Sequence, residues 1–333
     1  MSYQMIESGS QLRLCFLGCG QITSRHAKVS GKCDKNIKLS FASRSLEKSE
    51  SYRKKHQGIN AYPSYEEAIH SELEDVIMIN TPPHLHFELA KKSLEAGKHV
   101  IVEKPPFFQS SDFDILGEIA DQKGLQFMVA ENYYYKPLRT KIKSIIDDNL
   151  IGDALFILIN ATKTQKTTGD WREDKSVAKY GALFEGGIHW INFINNIGLD
   201  IISISGFKPR KDDEMERSIQ VTATTRQGAV INLLYSWEVD TIMKGIRGSR
   251  IYGSKGSVFF ETNGIFVWLR GIKKQFSFPG LRHITGQQKM LEDFFSAIRS
   301  GNPPQFTWQM AKQDLVLIEK IYSSVEESKN YSL

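Results

Sequence analysis

A chain of 333 residues is long for a single hydrophobic core and predicts two domains. Hydrophobic residues at 41% and charged residues at 24% are ordinary globular composition, which excludes wholesale disorder. A formal net charge of +5 predicts no nucleic-acid partner, though it suits a ligand with several phosphates, and no apolar run reaches the ~18–20 residues of a membrane span.

Met1 to Gln11 is polar and mildly acidic and reads as a loose tail rather than a secretion signal. The next 120 or so residues alternate short apolar runs with helix-like segments, the pattern of βαβ units and a parallel sheet. Leu12–Leu17 is the first strand, ending at Gly18. Ile37–Ala42 is the second, and Val76–Asn80 the third, stopped by Thr81-Pro82-Pro83. His99–Val102 is the fourth, stopped by Glu103-Lys104-Pro105-Pro106, and Leu125–Ala130 the fifth. Phe87–Ala96 carries apolar residues at helical spacing and stops at Gly97. Of the three cysteines, Cys15 lies in an apolar run and Cys19 between two glycines; buried, reduced thiols in a cytoplasmic protein are expected.

Beyond Glu131 the texture changes. Ala154–Thr164, Ser218–Thr225, Ala229–Trp237, Val258–Glu261 and Ile265–Leu269 follow as strands without helices between most of them, which implies a large, mostly antiparallel open sheet. Helices are expected around Ala182–Ile197, Gln287–Arg299 and Trp308–Glu327. The expected fold is an α/β Rossmann domain over 1–130 (with 1–11 as tail) and an α+β domain over 131–333.

Gly18-Cys19-Gly20 follows the first strand and opens a helix, so backbone can approach a pyrophosphate that faces the helix N-terminus at Gln21 and Ile22. Thr23 stands where a third glycine is usual, and a plain glycine turn would fit the triplet taken alone; the surrounding strands and helices favour the phosphate site. The second strand ends Ala42-Ser43-Arg44-Ser45, with no carboxylate before Glu47 to bond an NAD ribose. Ser43 and Ser45 can donate to a phosphate and Arg44 can pair with it, which selects NADP over NAD; a solvated basic turn is the other reading.

Gly18-Cys19-Gly20-Gln21-Ile22 with His26, Thr81-Pro82 with His86, and Ala96-Gly97-Lys98-His99-Val100-Ile101-Val102-Glu103-Lys104-Pro105 together resemble a known family. It is the glucose–fructose oxidoreductase, inositol dehydrogenase and rhizopine-catabolism (Gfo/Idh/MocA) group, and Gly181-Ala182-Leu183-Phe184-Glu185-Gly186-Gly187-Ile188-His189 resembles its third motif. The blocks keep the family's order, and the Glu-Lys-Pro block is the most specific. The resemblance implies that Thr81 and Pro82 line the nicotinamide side of the cofactor, with His86 nearby. It implies that Glu103 and Lys104 lie under the nicotinamide, often with a cis Lys-Pro peptide, that Lys104 is the catalytic lysine, and that Glu185 and His189 face it from the second domain. It also implies a secondary alcohol or ketone of a sugar, deoxysugar or cyclitol as substrate, and a homodimer or homotetramer built through the second-domain sheet. The family most often has aspartate where Glu185 stands, which leaves that residue's role less secure than His189's.

The residues suit such chemistry. A lysine at a strand's carboxyl end can polarise a carbonyl oxygen, and an imidazole can move a proton near neutral pH. Glu185 and His189 are four positions apart, on one face of a helix. Each also has an ordinary reading: Lys104 as a surface lysine, Glu185 and His189 as a helix pair or a core histidine. Gly169-Asp170-Trp171-Arg172-Glu173-Asp174 and Lys179-Tyr180-Gly181 form a loop whose Trp171, Arg172 and Tyr180 could hold hydroxyls or a carboxylate, or could be surface or oligomer contact. Lys163, Asn132 and Tyr133 are further candidates for the polyhydroxylated substrate. No metal site is expected, because no further Cys or His lies at ligand spacing. Two other functions fit the same motifs: a non-catalytic dinucleotide-binding regulator, against which the joint presence of Lys104 and His189 argues, and a nicotinamide-cycling glycosidase.

Overall fold

The computed structural model describes residues 10–165, 174–210, 215–241 and 245–329. They divide into two compact units: the chain through Glu131 together with Gln287–Lys312, and Asn132–Gly286 together with the chain from Gln313.

In the first unit β1 (Leu12–Leu17), α1 (Gln21–Cys33), β2 (Ile37–Ala42), α2 (Leu46–His56), β3 (Asn60–Tyr62), α3 (Tyr65–His70), β4 (Val76–Ile79), α4 (His86–Glu95), β5 (His99–Val102), α5 (Asp112–Lys123) and β6 (Phe127–Val129) alternate. All strands pair in parallel, in the order β3-β2-β1-β4-β5-β6. The central strand β4 is wholly apolar, and every residue of β4 and β5 is buried, as in a parallel sheet covered on both faces. The order reverses between β1 and β4, so the turns after those two strands flank the crevice where such sheets take ligands. The strand β3 has no counterpart in the sequence reading: Asn60-Ala61-Tyr62 is a half-buried edge with no apolar run.

The second unit holds α6 (Pro137–Asp147), β7 (Ala154–Thr162), α7 (Lys175–Ala178), a π turn over Leu183–Gly187 leading into α8 (Ile188–Asn195), β8 (Ile201–Phe207), β9 (Ser218–Thr225), β10 (Val230–Ser236), β11 (Gly248–Gly253), β12 (Gly256–Glu261), β13 (Val267–Arg270) and β14 (Lys274–Ser277). Its sheet runs β14-β13-β12-β11-β7-β10-β9-β8 and is antiparallel except for the β10–β7 pair. Then α9 (Gln287–Ser300) and α10 (Trp308–Lys329) close the chain. One face of the sheet meets helices: Phe193 of α8 reaches Phe260, and Ile321 and Val325 of α10 close over Gly206. The opposite face leaves Phe156, Leu158, Leu234, Tyr252, Trp268 and Phe276 exposed.

The sequence reading placed α9 in the 131–333 span, whereas its packing assigns it to the first unit. Its apolar stripe of Met290, Leu291, Phe294, Phe295 and Ile298 is buried, it packs on α1, and Arg299 pairs with Asp34 at 2.5 Å. Periodicity marks an apolar stripe without naming its partner. Cys15 and Cys19 are buried free thiols, and burial pushes Cys19 up to about 11.

His99, at the start of β5, accepts the Gln126 amide on Nδ1 at 2.9 Å and is held down to about 4 by burial, with Asp75 opposing. The unfolded ring protonates first as pH falls through about 6.5, so stability present above that value drains away until the folded ring also titrates near 4. Urea unfolding at pH 7.5 and pH 5 is expected to cost the wild type about 2 kcal/mol more than His99→Asn, which keeps an acceptor but does not titrate. Equal losses in both proteins would contradict this.

Candidate functional site

The strand β1 runs into Gly18, whose φ of +99° lies in the left-handed region, and a Cβ there would stand 2.9 Å from the Asn80 carbonyl oxygen. Only glycine lets the turns after β1 and β4 approach so closely. Thr23 then closes the turn from α1: its hydroxyl donates to the Gly18 carbonyl at 2.6 Å and accepts from Asn80 Nδ2 at 3.1 Å. The missing third glycine is thus replaced by a buried hydrogen-bonding clasp. Gly20 differs from Gly18, since a Cβ on it would meet no described atom within 4 Å. Beside that open space stands the N-terminus of α1, where Thr23 Oγ1 accepts the Gly20 amide at 3.4 Å, no side chain of the N-cap residue caps the helix, and no acid lies in its first turn. Gln21 and Ile22 open this helix, and its donor set suits a pyrophosphate.

At the end of β2, Ser43 is buried, while Arg44 and Ser45 are exposed. Ser45 caps α2 by accepting the Lys48 amide, so its oxygen already has one partner, although its hydroxyl hydrogen can still donate. After β4, Asn80 Oδ1 and Thr81 Oγ1 are buried and have no partner among the described residues. Buried polar atoms are nearly always satisfied, so two such orphans in one turn mark where a polar ligand fits. Pro82 follows, half-buried.

His86, which the resemblance implies lies near the nicotinamide, sits between two turns. It is buried, with Nε2 2.8 Å from the Thr81 carbonyl and Nδ1 2.9 Å from that of Pro106 and 3.1 Å from that of Pro105. Burial lowers its pKa, opposed by those carbonyls. Its ring lies between the turn after β4 and the turn after β5, each nitrogen at hydrogen-bond distance from a carbonyl, and a neutral ring donates to one of the two turns.

In that second turn the Lys104–Pro105 peptide is cis. Glu103 is buried, with Oε1 2.5 Å from His26 Nε2 and Oε2 accepting the Lys104 amide at 2.9 Å. Burial works to raise its pKa, but His26 above all, and then the Lys104 charge and amide, outweigh it and hold the carboxyl below the usual range. Lys104 itself is half-buried at the carboxyl end of β5. The sequence reading gave His26 no role; its partner is 77 residues away in the chain.

The third motif is built in the second unit. A Cβ on Gly181 would lie 2.2 Å from Glu216 Oε2 and 2.3 Å from its carbonyl oxygen. Buried Glu216 accepts the Leu183 amide at 2.9 Å and the Tyr322 hydroxyl at 2.8 Å, pinning the start of the motif helix. Burial raises the Glu216 pKa against those donors. The expected single helix over Ala182–Ile197 is a π turn followed by α8. The wider turn falls on Gly186 and Gly187, whose missing side chains leave room for the Tyr235 ring. Glu185 and His189 therefore straddle a π-to-α junction, and both are half-buried. Glu185 lies within electrostatic reach of Tyr235, whose hydroxyl burial pushes far up.

Tyr133 stacks on His189, centroids 4.3 Å apart and planes 9° from parallel, and meets Trp190 edge-on. Lys136, buried, sets its ammonium 4.2 Å from the Tyr133 centroid. The sequence reading missed that lysine; its place just before Pro137, at the start of α6, was the available signal. Asn132 donates to the Thr285 carbonyl at 2.6 Å, Tyr180 stacks on Tyr322, and Lys163 is exposed. Trp171 and Arg172 lie outside the described residues. Among the described residues no group of His, Cys, Asp or Glu could hold a metal ion.

The glycines separate packing from access. Gly181→Ala is expected to cost about 1–3 kcal/mol in urea unfolding, because backbone as well as side chain of Glu216 blocks the new methyl. Gly20→Ala, extended at φ −111° and facing open space, is expected to unfold within roughly 0.5 kcal/mol of wild type. A reversed order would contradict both assignments.

Residues 12–131 match the family model of an oxidoreductase family with an NAD-binding Rossmann fold, and residues 140–259 match the GFO/IDH/MocA C-terminal domain. Oxidoreductase P35 of Formosa agariphila is 22% identical over 292 residues, covering 85% of this chain and 89% of that protein. Levoglucosan dehydrogenase in complex with NADH and levoglucosan superposes with a TM-score of 0.83 at 20% identity, over 96% of this chain and 98% of that one. A 3-ketoreductase from Actinomadura kijaniata in complex with NADP and TDP-benzene gives 0.81 at 20% identity, over 95% and 98%. These two likenesses establish the fold, and the two family models go further: the chain belongs to the Gfo/Idh/MocA family of oxidoreductases.

Proposed function

We propose that the protein is an NADP-dependent oxidoreductase acting on a secondary alcohol or ketone of a sugar, deoxysugar or cyclitol. The observation that carries this reading is the set of groups at the carboxyl ends of adjacent parallel strands: the α1 N-terminus after β1, the orphaned Asn80 and Thr81 atoms after β4, and Lys104 after β5. A dinucleotide with a carboxamide at one end and phosphates in the middle fits that donor and acceptor set. Gln21 and Ile22 would hold the pyrophosphate, Asn80, Thr81 and Pro82 the nicotinamide side, and Ser43, Arg44 and Ser45 the adenosine end. When bound, the nicotinamide supplies the hydride acceptor or donor. Relatives bind either form, one solved with NADH and one with NADP, so the choice rests on this chain's own residues. An exposed arginine with no acid beside it favours the extra phosphate.

Lys104 would polarise the reacting oxygen and His189 would take or deliver its proton, with Tyr133 holding the imidazole plane by stacking. Glu185, Tyr180, Asn132 and Lys163, with Trp171 and Arg172, are proposed for the substrate. Named relatives act on levoglucosan and on a dTDP-linked deoxysugar, which supports a polyhydroxylated ring.

The exposed sheet face extends the reading to assembly. Tyr252 pairs with Phe156 across β11 and β7, and Phe259 with Trp268 and Trp268 with Phe276 across β12, β13 and β14, which places two apolar groups on neighbouring strands of one face. A second copy of the chain would cover it, giving a homodimer or homotetramer.

Three experiments test these proposals. Lys104→Ala and His189→Ala are expected to lower kcat on a responsive polyol or keto-sugar by about 10²-fold or more, with the NADPH Kd within roughly threefold of wild type. Arg44→Ala is expected to weaken NADPH about 10- to 100-fold and leave NADH unchanged. Wild-type turnover without Lys104, binding without turnover on any substrate, or glycoside cleavage without net NADPH would each displace the dehydrogenase reading. For the assembly, Trp268→Lys is expected to convert the oligomer to monomer in sedimentation; a monomeric wild type would overturn that part alone.

A further inference from the structure

His26 is a buried imidazole on α1, 1% exposed, between two partners from distant parts of the chain. Its Nε2 stands 2.5 Å from Glu103 Oε1, and its Nδ1 stands 3.1 Å from Nε2 of Gln287, the first residue of α9. An amide nitrogen only donates, so Nδ1 is the acceptor and the proton of the neutral ring stands on Nε2, facing the carboxylate. The second carboxylate oxygen, Oε2, accepts the Lys104 amide at 2.9 Å. Gln287, His26, Glu103 and the Lys104 backbone therefore form one directed chain of hydrogen bonds, all within the first unit.

Each link has a physical reason. With the ring donating from Nε2 to Oε1 and the Lys104 amide donating to Oε2, a proton on either carboxyl oxygen would face a donor hydrogen, so the carboxylate is ionised. A buried carboxylate without donors takes up a proton, and here His26 and Lys104 together prevent that. The Lys104 amide directly precedes the Lys104–Pro105 peptide, so its anchor sets where the lysine side chain leaves the strand. Misplacing a reacting group by ~1 Å can cost about 10²-fold.

We propose that His26 is a positioning residue for Lys104: it donates from Nε2 to Glu103, the Glu103 carboxylate holds the Lys104 backbone, and Gln287 fixes the His26 tautomer. This rests on the proposed role of Lys104 in the reaction. His26 touches neither substrate nor cofactor in this account and acts only through Glu103.

The test compares His26→Leu, which removes the donor, with His26→Gln, whose amide nitrogen reaches the Nε2 position. His26→Leu is expected to lower kcat about 10- to 100-fold with KM and NADPH Kd changed far less, and His26→Gln to recover kcat to within about fivefold of wild type. Leu and Gln variants equally impaired, or a Leu variant with wild-type kcat, would overturn the proposal. Should His26→Leu fail to fold, nitrogen-15 NMR of histidine-labelled wild-type protein decides: the expected signal is a neutral ring protonated on Nε2, and a proton on Nδ1 overturns the chain. Lys104→Ala, measured alongside, separates the two levels. Turnover that survives it overturns the enzyme reading and this inference together, whereas an inactive Lys104→Ala beside unimpaired His26 variants overturns this inference alone.

Discussion

A carboxylate taken out of water costs several kcal/mol unless donors meet both of its oxygens, and Glu103 meets that condition at the carboxyl end of β5. One donor comes from α1, the helix whose N-terminus offers the phosphate turn; the other is the amide of Lys104. A single buried anion thereby ties the element that would hold phosphates to the element that carries the lysine. The rest of the first unit keeps this geometry in register. Gly18 lets the β1 and β4 turns touch, Thr23 clasps them, and the buried His86 ring packs between the β4 turn and the β5 turn. Side chains with ordinary hydrogen-bonding chemistry thus fix three strand ends relative to one another while leaving Asn80 Oδ1, Thr81 Oγ1 and the α1 amides for a ligand.

The second unit solves a similar problem by other means. Its histidine sits just past a π turn whose start is pinned by a buried glutamate and a tyrosine hydroxyl, and whose width is set by a glycine pair against Tyr235. Asp314 from α10 then accepts from Asn192 and Asn195, locking α8 in rotation. Stacked Tyr133, with the Lys136 ammonium over its ring, defines the plane of His189. Rigid supporting contacts of this kind would let one imidazole serve in the proposed role of proton donor or acceptor.

Much of this was legible in the sequence wherever the physics is local. Buried parallel strands carry short, mostly apolar runs, so β1, β2, β4, β5 and β6 stood out, and the glycine turn and the Glu-Lys-Pro block marked the ends of β1 and β5. Four strands did not stand out: Asn60–Tyr62, Gly248–Gly253 and Lys274–Ser277 are polar or glycine-bearing, whereas Ile201–Phe207 was missed despite its isoleucines. Nor could spacing show which unit α9 packs against, since its apolar stripe would serve either. The helix carrying Glu185 and His189 was placed correctly, but its π turn depends on Tyr235, which lies about fifty residues further along. His86 illustrates the same limit, because a histidine near a cofactor motif and a histidine packed between two turns look alike until its partners are known. The His26–Glu103–Gln287 chain joins residues as far as 261 positions apart and leaves no local trace.

The claim on which all of this turns is that a dinucleotide lies along the carboxyl ends of β1, β4 and β5. A crystal structure of the protein grown with NADPH tests it most directly. The account requires the pyrophosphate on the amides of Gln21 and Ile22, the carboxamide end against Asn80 and Thr81, and the Lys104 ammonium beside the nicotinamide ring. Cofactor density at another place on the protein, or phosphates distant from Gly20 with Asn80 and Thr81 still unpartnered, would contradict it.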